Sequence, residues 1–517
     1  MIYVSQNSSP SRKIVRANRR QRLKTARKAA RSSKANLNEL LSQLHAEFEQ
    51  EDAEDIAYNS IQWIFKKILT PELINRVAEK TGFQIRKRKI EPMSFLSVLM
   101  IGCLNPVVDS LKIMCALLKK WYKIIIKPQS LHDLINRPQS YEFIKEIQTI
   151  VLGFEMKRAI DKLKNNKSRL RIKFFKKILL QDSTVISLPE TLWRVFRGCG
   201  GSASKAAIKI DVVFDINQSS LINMKCCAGR VPDGNVAISG NILNHVDEED
   251  LVIRDLGYFN IKQLSEVAKK NAHFISRLSK SINIYLNKDD EIPLDVIQYI
   301  EKMNVKDKEI DMTVYLGKTE RLPVRFIAIK VPPEVVEARR EQYKRSNGRS
   351  KEPSESLVEW NGYTFMITNI SKDKLTHCAI LKLYKIRWQI ELLFKNFKSN
   401  LKIDKITGNK KYRVLCLLHT KILLAWLVTL LCAYAQTLTD KEVSFFQATC
   451  WLQRVGDFHK MLITGDITQL LDELSGDVDQ LCKQQKRTKK SSLDDVQRQL
   501  DEENIGKVDE ENSKKAA

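Results

Sequence analysis

The change from helical to strand texture at about residue 178 constrains this chain more than any other feature. The segments ILLQDSTVISL, AAIKIDVVFDI, LINMKCCAG, LVIRDL and HFISRLS are short, rich in Val and Ile, and bounded by Gly, Pro or Asn, which is the pattern of buried strands. Three come in succession, and a helix-like NIKQLSEVAKKNA joins the fourth to the fifth. Strands joined by short turns pair antiparallel, whereas a helical crossover brings the chain back parallel. An α/β class follows, with a mixed sheet that starts antiparallel, continues parallel and is flanked by helices.

The rest of the chain reads differently. From 61 to about 163 apolar residues recur at three- and four-residue steps with few glycines, so this region is helical. Within it SLKIMCALLKKWYKIIIKPQSLHDLINR reads as helix, turn, helix, with Leu111, Met114, Cys115 and Leu118 on one face and Pro128 opening the second helix. A helix-turn-helix would aim Gln129, Ser130 and His132 at base edges, and a plain helical bundle accounts for the same pattern equally well. From about 282 to 371, DMTVYLG, PVRFIAIKV and YTFMITNIS alternate around a basic PPEVVEARREQYKRSNGRSK, a β-rich insertion rather than more of the same sheet. One long helix is expected from 376 to about 400, followed by an apolar stretch from 414 to 435. That stretch contains His419 and Lys421 and runs uninterrupted only from Ile422, short of the roughly 20 residues that span a bilayer. The resulting plan is a basic arm and linker at 1–60, a helical region at 61–165, an α/β domain at 166–440 and a C-terminal helical segment and tail at 441–517. The segment 442–481 could pair subunits.

A formal net charge of +26 points to a polyanionic partner, and nucleic acid is the usual one. No acidic residue precedes Glu39, while basic side chains from Arg12 to Lys34 crowd the first segment, either as a phosphate-binding arm or as a solubilising tail. An acidic patch follows from Glu47 to Asp55, ending in EQEDAED. The ten cysteines include no CxxC pair, and Cys226 and Cys227 are adjacent, so free thiols in a reducing cytoplasm are expected. The seven histidines form no HxH or HExxH pairing, and no GxxxxGKS loop indicates ATP.

The chemistry rests on acids. Asp182 follows an apolar run and precedes Ser183 and Thr184; Asp255 follows Leu251 to Ile253 and precedes Gly257. A carboxylate where a strand ends and the chain turns is a usual place for a metal ligand, although a solvated strand end or helix cap explains either one alone. In YKIRWQIELLFKNFK, Arg387, Glu391 and Lys398 stand 3, 7 and 14 residues after Tyr384. At roughly 100° per residue, the four fall on one narrow helix face. Either a functional face or a solvated Glu–Lys face would show this spacing. Asp233, in GRVPDG, is a spare acid suited to a turn. Trp360 and Tyr363 could stack on an unpaired base or simply pack in a sheet.

YKIRWQIELLFKNFK resembles the Y-(2)-R-(3)-E-(6)-K signature of the IS4-type DDE transposases, matching at all four positions. LLQDSTVISLP and VIRDLGYF look like that family's first- and second-Asp motifs, and weaker similarity runs from about 69 to 431. The basic arm lies outside it. The resemblance implies an RNase H-like mixed-sheet catalytic core with a β-rich insertion, flanked by helical regions. It implies two Mg²⁺ or Mn²⁺ ions on Asp182, Asp255 and Glu391, with Tyr384, Arg387 and Lys398 on the DNA backbone beside the scissile bond. It also implies cut-and-paste transposition on double-stranded DNA (transposon ends and target) by a homodimer in a synaptic complex, in the bacterial cytoplasm and away from the membrane. A catalytically idle DNA-binding relative and a structure-specific nuclease are the competing readings.

Overall fold

The computed structural model describes residues 64–482, together with 37 and 39–44, apart from 85–88, 105–109, 154–174, 201–203, 218–219, 304–308, 348–350, 407, 440, 442, 455–457 and 465. The basic arm, the acidic EQEDAED and the tail beyond Cys482 lie outside the described residues.

In chain order the helices before the sheet are α1 (Pro71–Lys80), α2 (Pro92–Leu104), α3 (Leu111–Tyr122), α4 (Pro128–Ile135) and α5 (Pro138–Gly153). The strands β1 (Ile178–Ser187), β2 (Ala207–Asp215), β3 (Ser220–Ala228) and β4 (Leu251–Arg254) follow, then α6 (Ile261–Lys269), β5 (His273–Arg277), β6 (Ile284–Tyr285) and α7 (Val296–Lys302). Next come β7 (Glu309–Leu316), β8 (Leu322–Lys330), α8 (Pro333–Asn347), α9 (Glu355–Asn361) and β9 (Tyr363–Thr368). The chain then forms α10 (His377–Lys385), α11 (Trp388–Leu401), α12 (Lys411–Thr437), α13 (Phe445–Arg454), α14 (Phe458–Thr464) and α15 (Thr468–Gly476). These elements divide into two compact units: one from Met1–Leu163 with Lys398–Lys483, the other centred on Lys164–Phe397.

The helical unit is built on α12, against which α2, α4, α5 and α13 pack. Its local signals are conventional: Thr70 caps α1 by accepting from the Leu73 amide at 3.3 Å, with Pro71 in the first turn. Phe83 stacks on Phe143 at 4.6 Å and lies 4.8 Å from Phe95. The apolar stretch departs from expectation, because α12 runs 27 residues and is long and apolar enough by composition to cross a membrane. It is buried within the protein instead. His419 and Lys421 do not interrupt it because each finds a partner. His419 pairs with Gln148, and Lys421 donates to the carbonyls of Lys402 at 2.7 Å and Lys405 at 3.2 Å.

In the second unit all nine strands form one sheet in the order β3-β2-β1-β4-β5-β9-β8-β7-β6. β1, β2 and β3 are antiparallel neighbours, while β1–β4 and β4–β5 are parallel, as the strand spacing and the α6 crossover require. The inserted β-rich segment differs from the sequence-based expectation. Its strands are not a separate sheet: β9 pairs antiparallel with β5, with Ile275 opposite Thr368, and β8, β7 and β6 continue outward. An open edge on β5 would leave a row of unpaired backbone groups, and β9 covers it. Trp360 lies 4.2 Å and Tyr363 5.8 Å from the Phe365 ring, so both pack against this sheet. Arg325 on β8 fastens the segment to the loop before α10. It holds Asp311 through two bonds of 2.9 and 2.7 Å and donates to the Leu375 carbonyl at 2.7 Å.

Candidate active site

Asp182 and Asp255 are brought side by side by strand register. Gln181 on β1 pairs with Arg254 on β4, the last pair in that parallel ladder, and each acid is the next residue in its chain. Side chains alternate across a sheet, so Gln181 and Arg254 share one face and the two acids share the other. Asp255 keeps an extended backbone (φ −73°, ψ 161°) before the turn Leu256–Tyr258, so the alternation carries through to it. Contrary to the sequence-based expectation, Asp182 does not end its strand. β1 runs on to Ser187 because β2 still pairs with it, and only the pairing with β4 stops at Gln181.

The third acid comes from a helix that is also not as expected. Residues 376–400 do not form one helix: α10 ends at Lys385 and α11 begins at Trp388. Between them the backbone tightens into three-residue bonds, Arg387 N to Tyr384 O at 3.1 Å and Ile390 N to Arg387 O at 3.2 Å. Tyr384 thus ends one helix, Arg387 occupies the turn, and Glu391 sits in the first turn of the next. Lys398 lies seven residues further along α11, near its C-terminal end. The four signature residues do not line one continuous helix.

Arg387 is the hub. Its guanidinium lies 2.7 Å from Glu391, 3.6 Å from Asp182 and 3.9 Å from Asp255. Among the described residues no three His, Cys, Asp or Glu side chains form a ready-made metal cage, and the three carboxylates instead surround this cation. Burial pushes the Asp182 carboxyl up to about 6, with Asp255 and Glu391 adding to the rise, while the Ser183 amide at 2.8 Å and Arg387 pull it down. Burial and the charge of Asp255 push the Tyr384 phenol up to about 12. Its hydroxyl is buried without a well-formed hydrogen bond among the described residues.

The opposite face of the sheet holds a polar network that sequence reasoning did not assign. Tyr258 donates to Asp211 at 2.7 Å, and Gln181 donates to the same carboxylate at 3.1 Å. Arg254 donates to Gln263 at 2.8 Å and to the Ser239 carbonyl at 3.1 Å. Burial lowers the Arg254 guanidinium to about 10 and, as the largest cause, raises the Asp211 carboxyl. The signal was present: in both QD and RD, a polar residue precedes the acid in an otherwise apolar strand, which requires polar partners on both faces. Asp233 accepts from Ser183 and Lys209, so it is an ion-pair acceptor as well as a turn residue. Gln129 and Ser130 belong to the helical unit, exposed at the start of α4, where Gln129 donates to Asp133 at 2.9 Å.

The family described as Transposase DDE domain matches residues 173–427. The chain belongs to the DDE transposases. Members of this family are DNA-cleaving and strand-transferring enzymes. Among curated relatives, the transposase for insertion sequence element IS231F of Bacillus thuringiensis subsp. israelensis is 24% identical over 83% of this chain and 93% of its own. The transposase for insertion sequence element IS1151 of Clostridium perfringens is 26% identical over 72% of this chain and 79% of its own. Both belong to the IS4 family, in keeping with the Y-R-E-K resemblance. Among solved structures, a piggyBac transposase synaptic complex with hairpin DNA aligns at TM-score 0.43 and 12% identity, covering 84% of this chain and 86% of that one.

Proposed function

We propose that Asp182, Asp255 and Glu391 are the metal-holding carboxylates of an insertion-sequence transposase that cuts DNA at terminal inverted repeats and joins the ends to target DNA. The observation that carries this reading is the convergence of three acids, from two adjacent parallel strands and a helix, on the single cation Arg387. The strand order β3-β2-β1-β4-β5 fits the RNase H-like core implied by the sequence resemblance.

The donor set suits Mg²⁺ or Mn²⁺, since hard divalent ions prefer oxygen ligands. When bound, two such ions would activate a water or 3′-hydroxyl and stabilise the leaving oxygen of the phosphodiester. The chain's own residues do the rest. Asp182 must lose its proton to serve as a ligand. Arg387, now shared by the three acids, turns towards a phosphate oxygen, where a guanidinium forms paired charge-assisted bonds. Tyr384 offers a hydroxyl and Lys398 a further cation to the same backbone. Gln129 and Ser130 face base edges from a DNA-reading helical region at 61–165. Two chains work as a homodimer on paired ends in the bacterial cytoplasm, with 442–481 as their contact.

The test is Mg²⁺-dependent nicking of DNA carrying the element's own flanking ends, comparing wild type with Glu391→Ala. Cleavage by wild type alone supports the reading, and equal cleavage by both removes Glu391 from the site. Intact DNA binding without cleavage by either protein favours an idle DNA-binding relative.

A further inference from the structure

Asp233 stands outside the three-acid set, yet it touches both chain segments that carry Asp182 and Asp255. Its Oδ1 accepts a hydrogen bond from Ser183 Oγ at 2.7 Å. Ser183 is the residue after Asp182 and points to the opposite face of the sheet, so this bond holds β1 at the position from which Asp182 projects. On the other strand, a Cβ added to Gly257 would lie 3.4 Å from Asp233 Oδ2. The turn that follows Asp255 is therefore in close contact with the same carboxylate. The third tie is Lys209 on β2, whose ammonium donates to Asp233 Oδ1 at 2.7 Å and whose side chain is only 7% exposed. Among the described residues Asp233 is the one ion-pair partner of Lys209.

A surface turn acid has none of these constraints. Here a buried ammonium fixes the carboxylate, because a charge left unpaired at such a site is strongly destabilising. The fixed carboxylate then holds the β1 residue next to Asp182 and meets the turn after Asp255. Beneath it, Tyr258 and Gln181 converge on Asp211, so the turn after Asp255 and the residue before Asp182 are tied to one another a second time.

We infer that Asp233 is a positioning residue. Anchored by Lys209, it sets the separation of Asp182 and Asp255 from the opposite face of the sheet and so tunes the affinity of the site for divalent metal. This rests on the reading of Asp182 and Asp255 as metal ligands.

The experiment is a DNA-free Mn²⁺ titration of the full chain, followed by electron paramagnetic resonance of the free ion. Asp182→Ala serves as the control for the metal site. Asp233→Ala should weaken Mn²⁺ binding about tenfold, the low end of the range for residues that support metal ligands from behind. The double variant Asp233→Asn with Lys209→Met keeps an oxygen acceptor for Ser183 and the same net charge but removes the Lys209 anchor, and it should bind Mn²⁺ about as weakly as Asp233→Ala. If circular dichroism shows Asp233→Ala unfolded, Ser183→Ala provides the same test, with weakened Mn²⁺ binding at unchanged melting temperature expected. Wild-type affinity in Asp233→Ala, or in Ser183→Ala where that variant is used, overturns the inference if Asp182→Ala loses binding. Wild-type affinity in the double variant also overturns it. Wild-type affinity in Asp182→Ala overturns the metal-site reading itself, and this inference with it.

Discussion

The guanidinium of Arg387 lies 2.7 Å from the carboxylate of Glu391, across a junction where one helix has ended and the next begins. The pair has the four-residue separation of helix neighbours, yet Arg387 belongs to the intervening turn. From there it also reaches towards Asp182 and Asp255, which come from the sheet. Its removal should therefore be felt at all three acids.

Asp182→Asn, Asp255→Asn and Glu391→Gln should each reduce Mg²⁺-dependent end cleavage by more than about 100-fold, beyond the usual effect of residues that only support ligands. DNA-end binding should survive, because phosphate contacts elsewhere on a basic chain supply it. Gel-shift and nicking assays on one preparation check both halves. Near-normal cleavage by any variant would remove that acid from the set.

Burial sets the Asp182 carboxyl at about 6, and the charge on Arg387 holds it below where burial alone would put it. A metal ligand must be deprotonated, so Mn²⁺ affinity should fall as pH drops through about 6, approaching roughly tenfold per pH unit below it. In Arg387→Ala the lowering influence is gone, and the fall should begin at a higher pH. A midpoint that stays put or moves down in that variant contradicts the assigned role of Arg387.

Buried His419 works in another pH window. Burial and Lys145 lower its pKa to about 3, against an ordinary value of 6.5. The unfolded chain therefore holds the extra proton between those values. The stabilising contribution is complete above pH 6.5 and is lost as pH falls towards 3, by about 1.4 kcal/mol per unit. Asp182, with a raised folded pKa, has the opposite sign: the folded state gains relative stability as pH falls from about 6 to about 4. Melting temperatures at pH 7.5 and 5.5 for wild type and His419→Leu isolate the histidine. An unchanged difference between the two pH values in the variant would exclude it.

Asp311→Ala should destabilise the protein by on the order of 2–4 kcal/mol, between the values for exposed and buried ion pairs, because the Arg325 charge loses its bidentate partner. Denaturant unfolding measures it. Arg325 also holds the Leu375 carbonyl, so the variant should loosen the start of α10, read as faster hydrogen exchange at the Ala379 amide that Thr376 caps at 3.1 Å. A loss below about 0.5 kcal/mol would make the pair a solvated one.

Deleting residues 1–36, which carry no acid, should reduce the dependence of DNA affinity on salt. Every phosphate that the shortened protein leaves to its counterions takes close to one unit off the logarithmic slope. Titrations at several salt concentrations test this, and an identical slope would mark the arm as a solubilising tail.

The antiparallel start of the sheet and its parallel continuation through the α6 crossover could be read from local chemistry. Alternation and turn residues marked β1 to β5, whereas Asp182, Asp255 and Glu391 became candidates through the family resemblance, because the Y-R-E-K spacing alone fits a solvated helix face equally well. Three things were decided only in three dimensions. The first is the break at 386–387: the stretch contains neither Pro nor Gly, so propensity gives no reason to stop a helix there, and tertiary contacts place Arg387 in a turn among the acids. The second is the attachment of β9 to β5, a pairing between strands about 90 residues apart, which depends on which sheet edge is left open rather than on either strand's pattern. The third is the polar face behind the acids, where Gln181, Arg254 and Asp233 find partners from other strands and loops. A one-dimensional pattern shows that a side chain leaves the apolar face, but its hydrogen-bond partner depends on register and crossover geometry that only the assembled sheet supplies.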